Sequence, residues 1–144
     1  MTDQTWEHWR ERLAHELATL DDGEFVVLGE PTPEPAPRRG LLRRRPDPPP
    51  TRFVQFLHAG DGVIAECVGA TSFGGYVDIA PADHERLRAL GWKAPGDTSD
   101  VEWGAPNYRL YAAPDDGERL AQLATDSLQV LGLAPDTVAL TRAR

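Results

Sequence analysis

The sequence predicts an α+β protein: an antiparallel sheet of four to five strands with three helices, in the order α-β-(loop)-β-β-(β)-α-β-α. Three observations carry this. Apolar residues recur every three or four positions in three separate stretches, the signature of amphipathic helices. The best strand pair is joined by a turn too short for a crossover, so its strands run antiparallel. Helices then pack mainly on one face of such a sheet. A chain of 144 residues suits one domain with its own core, without staples.

The first helix is expected over residues 5–20, where Trp6, Trp9, Leu13, Leu17 and Leu20 share a stripe and Asp21, Asp22 and Gly23 end it. A short strand follows at Glu24–Leu28. Residues 31–50, PTPEPAPRRGLLRRRPDPPP, hold 8 of the 13 prolines and a local charge of +3 against −8 for the whole chain. That proline density forbids helix and central strand alike, so the segment reads as an extended or disordered loop, a flexible insertion in the domain. It is either a variable surface insertion or a docking arm carried by Arg43–Arg45. Residues 52–59 and 62–70 form a hairpin, which residues 74–79 continue as an optional further strand. A second helix is expected over 81–90, with Pro81 in its first turn, Leu87 and Leu90 on its apolar stripe and Gly91 at its end. Residues 107–112, NYRLYA, make another strand, Tyr108 and Leu110 facing opposite to Arg109 and Tyr111. The third helix, 116–131, carries Leu120, Leu123, Ala124, Ser127, Leu128 and Leu131 on one face, and Asp115 and Glu118 have capping-box spacing.

Inside the hairpin, RFVQFLHAGDGVIAECVGA, each apolar strand carries one polar residue, Gln55 and Glu66. An even-length turn within Ala59–Gly62 sends both to one side. A two-residue loop at Gly60-Asp61, or a four-residue loop, sets them directly opposite each other. Their face also carries Phe53, Leu57, Ile64 and Val68, and the other carries Val54, Phe56, Val63, Ala65 and Cys67. Both faces are apolar enough to be covered. Burying the pair without partners would cost roughly 1–3 kcal/mol each, more for a charge. The two therefore either satisfy each other and nearby backbone, or line a concave surface that meets a ligand.

Catalytic patterns are missing from the sequence. His8, His15, His58 and His84 lack zinc spacing. The stretch ATSFG around Ser72 misses the first glycine and the following helix of a nucleophile elbow. Asp97, Asp100 and Glu102 lack the spacing of a calcium loop. With one cysteine, Cys67, neither an intramolecular disulfide nor a cysteine metal cluster can form. The expectation is no enzyme, no cofactor and no metal. Acidic residues outnumber basic ones 23 to 15, which argues against nucleic acid as partner. The N-terminal stretch is polar and no run approaches a membrane span, so a cytoplasmic protein without membrane insertion is expected.

Residues 87–108 read LRALGWKAPGDTSDVEWGAPNY. Trp92, Pro95, Trp103 and Pro106 bracket an acidic turn, and Asn107 enters the next strand. The two indoles either anchor that loop in the core or edge a groove for an extended peptide. The ordered set W…LA.EL..L, FVQF, AECVGA, L..LGW..P, PNY and LA..A…L…LG…P resembles the TY-Chap family of actinobacteria, which is similar to type III secretion chaperones and YbjN-like proteins. The resemblance covers nearly the whole chain outside residues 31–50. It implies helices flanking an antiparallel sheet and a role in binding peptides or proteins. The positions it matches are Gln55, Phe56, Glu66, Trp92, Pro95 and Asn107. The chain departs from the family pattern in its longer proline- and arginine-rich insertion and in the glycine-rich Phe73-Gly74-Gly75.

The leading expectation is therefore a noncatalytic, chaperone-like module, residues 1–144, holding an extended or amphipathic segment on a sheet edge or face. Gln55, Phe56, Glu66, Trp92, Trp103 and Asn107 are its candidate contacts. The negative body favours a basic or amphipathic client. Two other classes stand beside it: a homodimer joined through the apolar sheet face, and an immunity-type partner of a single toxin.

Overall fold

The computed structural model describes residues 5–31, 51–75, 77–94 and 107–144. Three helices, α1 (Trp6–Ala18), α2 (Pro81–Ala89) and α3 (Gly117–Val130), accompany five strands: β1 (Phe25–Gly29), β2 (Phe53–Ala59), β3 (Gly62–Cys67), β4 (Tyr108–Ala112) and β5 (Ala139–Ala143). The strands form one antiparallel sheet in the order β4-β3-β2-β1-β5. Residues 32–50, nearly all of the expected loop, lie outside the described residues.

The helices form where their stripes require. Thr5 caps α1, its hydroxyl accepting from the His8 amide at 3.1 Å, and Trp9, Leu13 and Leu17 are buried on one side. The Trp9 indole donates to the Pro135 carbonyl at 2.6 Å, tying α1 to the approach to β5. Pro81 opens α2 in the first turn, where its missing N–H has no helical partner to lose. The capping box expected at Asp115 does not form. Asp116 is the N-cap without a side-chain cap bond, and its carboxylate instead holds Arg119 at 2.9 Å.

The hairpin turns in two residues, Ala59 pairing with Gly62, so Gln55 and Glu66 lie directly opposite each other. Gly60 takes φ +66°, the positive angle a type II′ turn needs at its first central position. Asp22 latches the turn by accepting the Gly60 amide at 2.7 Å.

The fifth strand is the C-terminal one, β5, rather than residues 74–79. Thr71–Phe73 form a 3-10 turn, and Val77 contributes a single bridge to Ala70. A side chain at Gly75 would come within 2.3 Å of the Gly69 backbone. Here the glycines serve backbone-on-backbone packing, which a regular strand edge does not need.

All three helices lie on one side of the sheet. Their buried leucines join Val26, Leu28, Val54, Phe56, Ala65, Cys67 and Tyr108 in a single core. α3 runs between β4 and β5, the two edge strands, and packs mainly on α1. Arg142, from β5, reaches the same side. It donates to Glu16 at 2.8 Å, to Glu24 at 2.9 Å and to the Thr19 carbonyl at 2.7 Å. Those bonds clamp the end of α1 and the approach to β1 onto β5.

Candidate functional site: the open face of the sheet

Side chains alternate along a strand, so the register fixes what the other face presents. One row across the strands reads Tyr111, Ile64, Leu57, Phe25 and Ala143. The next reads Arg109, Glu66, Gln55, Val27 and Thr141. Phe53 and Ala139 flank Gly29 in the third. Among the described residues no helix lies over these rows. Phe25, Val27, Phe53, Leu57 and Ile64 are half-buried, and Tyr111 is 63% exposed.

The polar row is organised by one ion pair. Arg109 on β4 donates through Nε to Glu66 Oε1 at 3.1 Å and makes a shorter second bond through its terminal nitrogen. The two side chains keep 14% and 17% of their surface exposed. The carboxylate is thus held in place yet still reachable from the open side. Gln55 stands beside it on β2. Toward β1 and β5 the row continues with the uncharged Gln55, Val27 and Thr141, and an apolar row runs beside it.

Gln55 and Glu66 are therefore brought together, facing outward on the open face. Phe56 points the other way and is fully buried, as period-two alternation requires of the residue after Gln55. Trp92 is buried in the core, its indole N–H donating to Ser127 Oγ at 2.8 Å, while Ser127 donates to the Leu123 carbonyl at 2.6 Å. Asn107 is buried and accepts the Gly69 amide at 3.1 Å, joining the start of β4 to the chain after β3. These three support the sheet from within. Trp103, Pro95, Pro106, Asp97, Asp100 and Glu102 lie outside the described residues.

At the sheet edge, Lys93 exchanges both backbone hydrogen bonds with Arg109, at 3.0 and 2.9 Å. That exchange occupies the middle of β4's outer side. Next to it lies a groove of about 560 Å³ between β4, the end of α2 and α3, floored by Leu90, Leu110, Leu120 and Leu123.

The model of one family, described as T3SS (YopN, CesT) and YbjN peptide-binding chaperone 3, matches residues 1–143. The chain belongs to the TY-Chap3 family. No curated protein and no solved structure matches it. The family's description is of peptide-binding chaperones, and the α+β architecture agrees with the resemblance in the sequence. Among the described residues of this TY-Chap3 chain, no helix is long and apolar enough to cross a membrane, and no group of three His, Cys, Asp or Glu could hold a metal ion.

Sequence reasoning left Arg109, Tyr111, Phe25 and Val27 out of the site. The signal was present for the first two. They alternate with Tyr108 and Leu110, so they had to share one face, and Glu66 already marked which face carried charge.

Proposed function

We propose that this chain is a noncatalytic, chaperone-like module of the cytoplasm that holds a polypeptide segment on the open face of its sheet. The observation that carries the reading is the one-sided placement of the helices, which leaves Phe25, Leu57, Ile64 and Tyr111 as a continuous apolar row beside Gln55 and the Glu66–Arg109 pair. Membership of a family described as peptide-binding supplies the same role from an independent direction.

The apolar row provides the affinity and the polar row the alignment. Five strands at about 4.8 Å spacing and about 17 Å length give a footprint of roughly 400 Å². Only the apolar part of that footprint contributes, at about 25 cal/mol per Å² removed from water. Losing the client's translational and rotational freedom costs about 4 kcal/mol or more. Weak, reversible capture follows, which suits a protein that must release its client. The Glu66–Arg109 pair and Gln55 give directional bonds to polar groups on the client's flank. The overall charge of −8 draws basic segments in at long range.

The test is binding to an immobilised peptide array with wild-type protein and with Leu57→Asp and Ile64→Asp. Both variants are expected to lose the bound set while keeping the wild-type circular dichroism spectrum. Retention of the same peptides by both folded variants would remove the open face as the site.

A further inference from the structure

We infer that the segment held on the open face is an amphipathic helix lying along the row Tyr111–Ile64–Leu57–Phe25. This rests on the peptide-binding reading above and goes further by naming the client's conformation and length.

The argument starts from backbone hydrogen bonds. The face is built on β3, β2 and β1, all interior strands paired on both sides. Their amides and carbonyls are directed at each other within the sheet, so none is offered to a molecule laid on top. An extended segment placed there would press its own N–H and C=O groups against Leu57 and Ile64 without partners, at a cost comparable to a lost hydrogen bond for each group. A helix satisfies its backbone internally and presents only side chains. At an edge the balance would reverse, since strands add readily there. On β4, however, Lys93 already takes both outward bonds of Arg109.

Dimensions agree. From Tyr111 on β4 to Ala143 on β5 the row crosses five strands, four steps of about 4.8 Å, or about 19 Å. A helix of about 13 residues has that length, and its apolar positions at i, i+3, i+4 and i+7 form a stripe of matching width. One polar flank of the helix then lies over Gln55 and the Glu66–Arg109 pair. The size of the face also decides between occupants. Its roughly 400 Å² footprint is about half of what each partner contributes to a standard protein–protein interface. It is enough for one helix and too small for a second copy of the chain.

The probes are three fluorescein-labelled peptides of about 14 residues, the first two of one composition. In the first, leucines fall at helical spacing with Lys and Glu between. In the second, the leucines alternate as in a strand. The third is the first with two central residues replaced by proline, which breaks the helix. Anisotropy titrations are expected to show the helical peptide binding at least about tenfold more tightly than the other two, with a gain of helical circular dichroism on mixing. Tyr111→Ala, at an exposed position, is expected to weaken it severalfold and Ile64→Asp to abolish binding, with the urea midpoint confirming that both fold. If the alternating or proline-broken peptide binds as tightly as the helical one, the helical client is overturned and the peptide-binding reading stands. If none of the three binds, both fall.

Discussion

On the helix side of the sheet, Val54, Phe56, Ala65 and Cys67 have no exposed surface. On the other side, one residue along each strand, Phe53, Leu57 and Ile64 are half-buried and Tyr111 stands in solvent. The two faces use similar residue types yet hold different amounts of water. The difference teaches that the helices, not the apolarity of the strands, decide which face is core. One layer of three helices covers one face, and among the described residues no helix covers the second.

Neighbouring residues on β2 break the comparison most sharply. Phe56→Ala, on the helix side, is expected to lose about 3–5 kcal/mol of stability through the cavity it leaves, read from urea denaturation. Leu57→Asp, one position on, is expected to cost about 1 kcal/mol or less, the spread of strand preferences on a half-exposed face, while abolishing client binding. Equal losses of stability from the two would mean the faces are not different in kind. Cys67 gives an independent reading of the core. Its burial pushes the thiol well above the usual range, so alkylation at neutral pH is expected only when the protein opens.

A smaller effect separates support from contact. Ser127→Ala strands the Trp92 indole N–H inside the core, and about 1–3 kcal/mol of stability should go with it. Client affinity measured on the remaining folded protein should not change, because Trp92 is buried on the helix side of the sheet, away from the proposed site. A drop in that affinity would draw Trp92 back into direct contact.

On the open face, a double-mutant cycle with Glu66→Gln and Arg109→Met is expected to give a coupling of about 1 kcal/mol, between the values for exposed and fully buried ion pairs. A coupling near zero would leave the pair with no role in ordering the polar row.

The smallest effect depends on pH and belongs to the helix side. The Glu24 carboxyl is lowered to about 2, first by its hydrogen bonds from Arg142 and next by the backbone bond at Asp21. A carboxyl depressed on folding stabilises the protein above its unfolded value, 4.5, and loses that contribution as pH falls toward 2. Wild type should therefore melt above Glu24→Gln at pH 7, with the gap closing between pH 4.5 and 2. A gap that stays constant would detach the Arg142 clamp from the titration of Glu24.

Much of this architecture was legible in the residues. The three apolar stripes located the helices to within a residue or two, and Ala59-Gly60-Asp61-Gly62 narrowed the hairpin to a few turns, two of which set Gln55 opposite Glu66. β5 was not legible. ALTRA alternates weakly, and Arg142 on its helix-facing side looks like a solvated residue until Glu16 and Glu24 are seen beside it. Residues 74–79 misled in the opposite direction, because their β-branched residues suggested a strand while the preceding glycines had another use. Within the site, any even-length turn put Gln55 and Glu66 on one face, and the two-residue turn then set them opposite each other. Phe56 could not share their face, and Trp92 and Asn107 were matched by family pattern, which does not distinguish a residue that touches a ligand from one that braces the wall behind it.

Glu30 and Arg52 close the chain where the proline-rich stretch leaves and re-enters. The Glu30 amide donates to the Arg52 carbonyl at 2.9 Å, Arg52 Nε returns a bond to Glu30 Oε1 at 2.7 Å, and Arg52 also donates to the Leu131 carbonyl at 2.9 Å. This knot belongs wholly to the domain and asks nothing of the sequence threaded between its ends. Doubling that sequence in length raises the closure entropy by only about 0.6 kcal/mol. The bonds at Glu30, Arg52 and Leu131 thus hold the two ends side by side, and the entropic penalty for the stretch between them grows only slowly with its length.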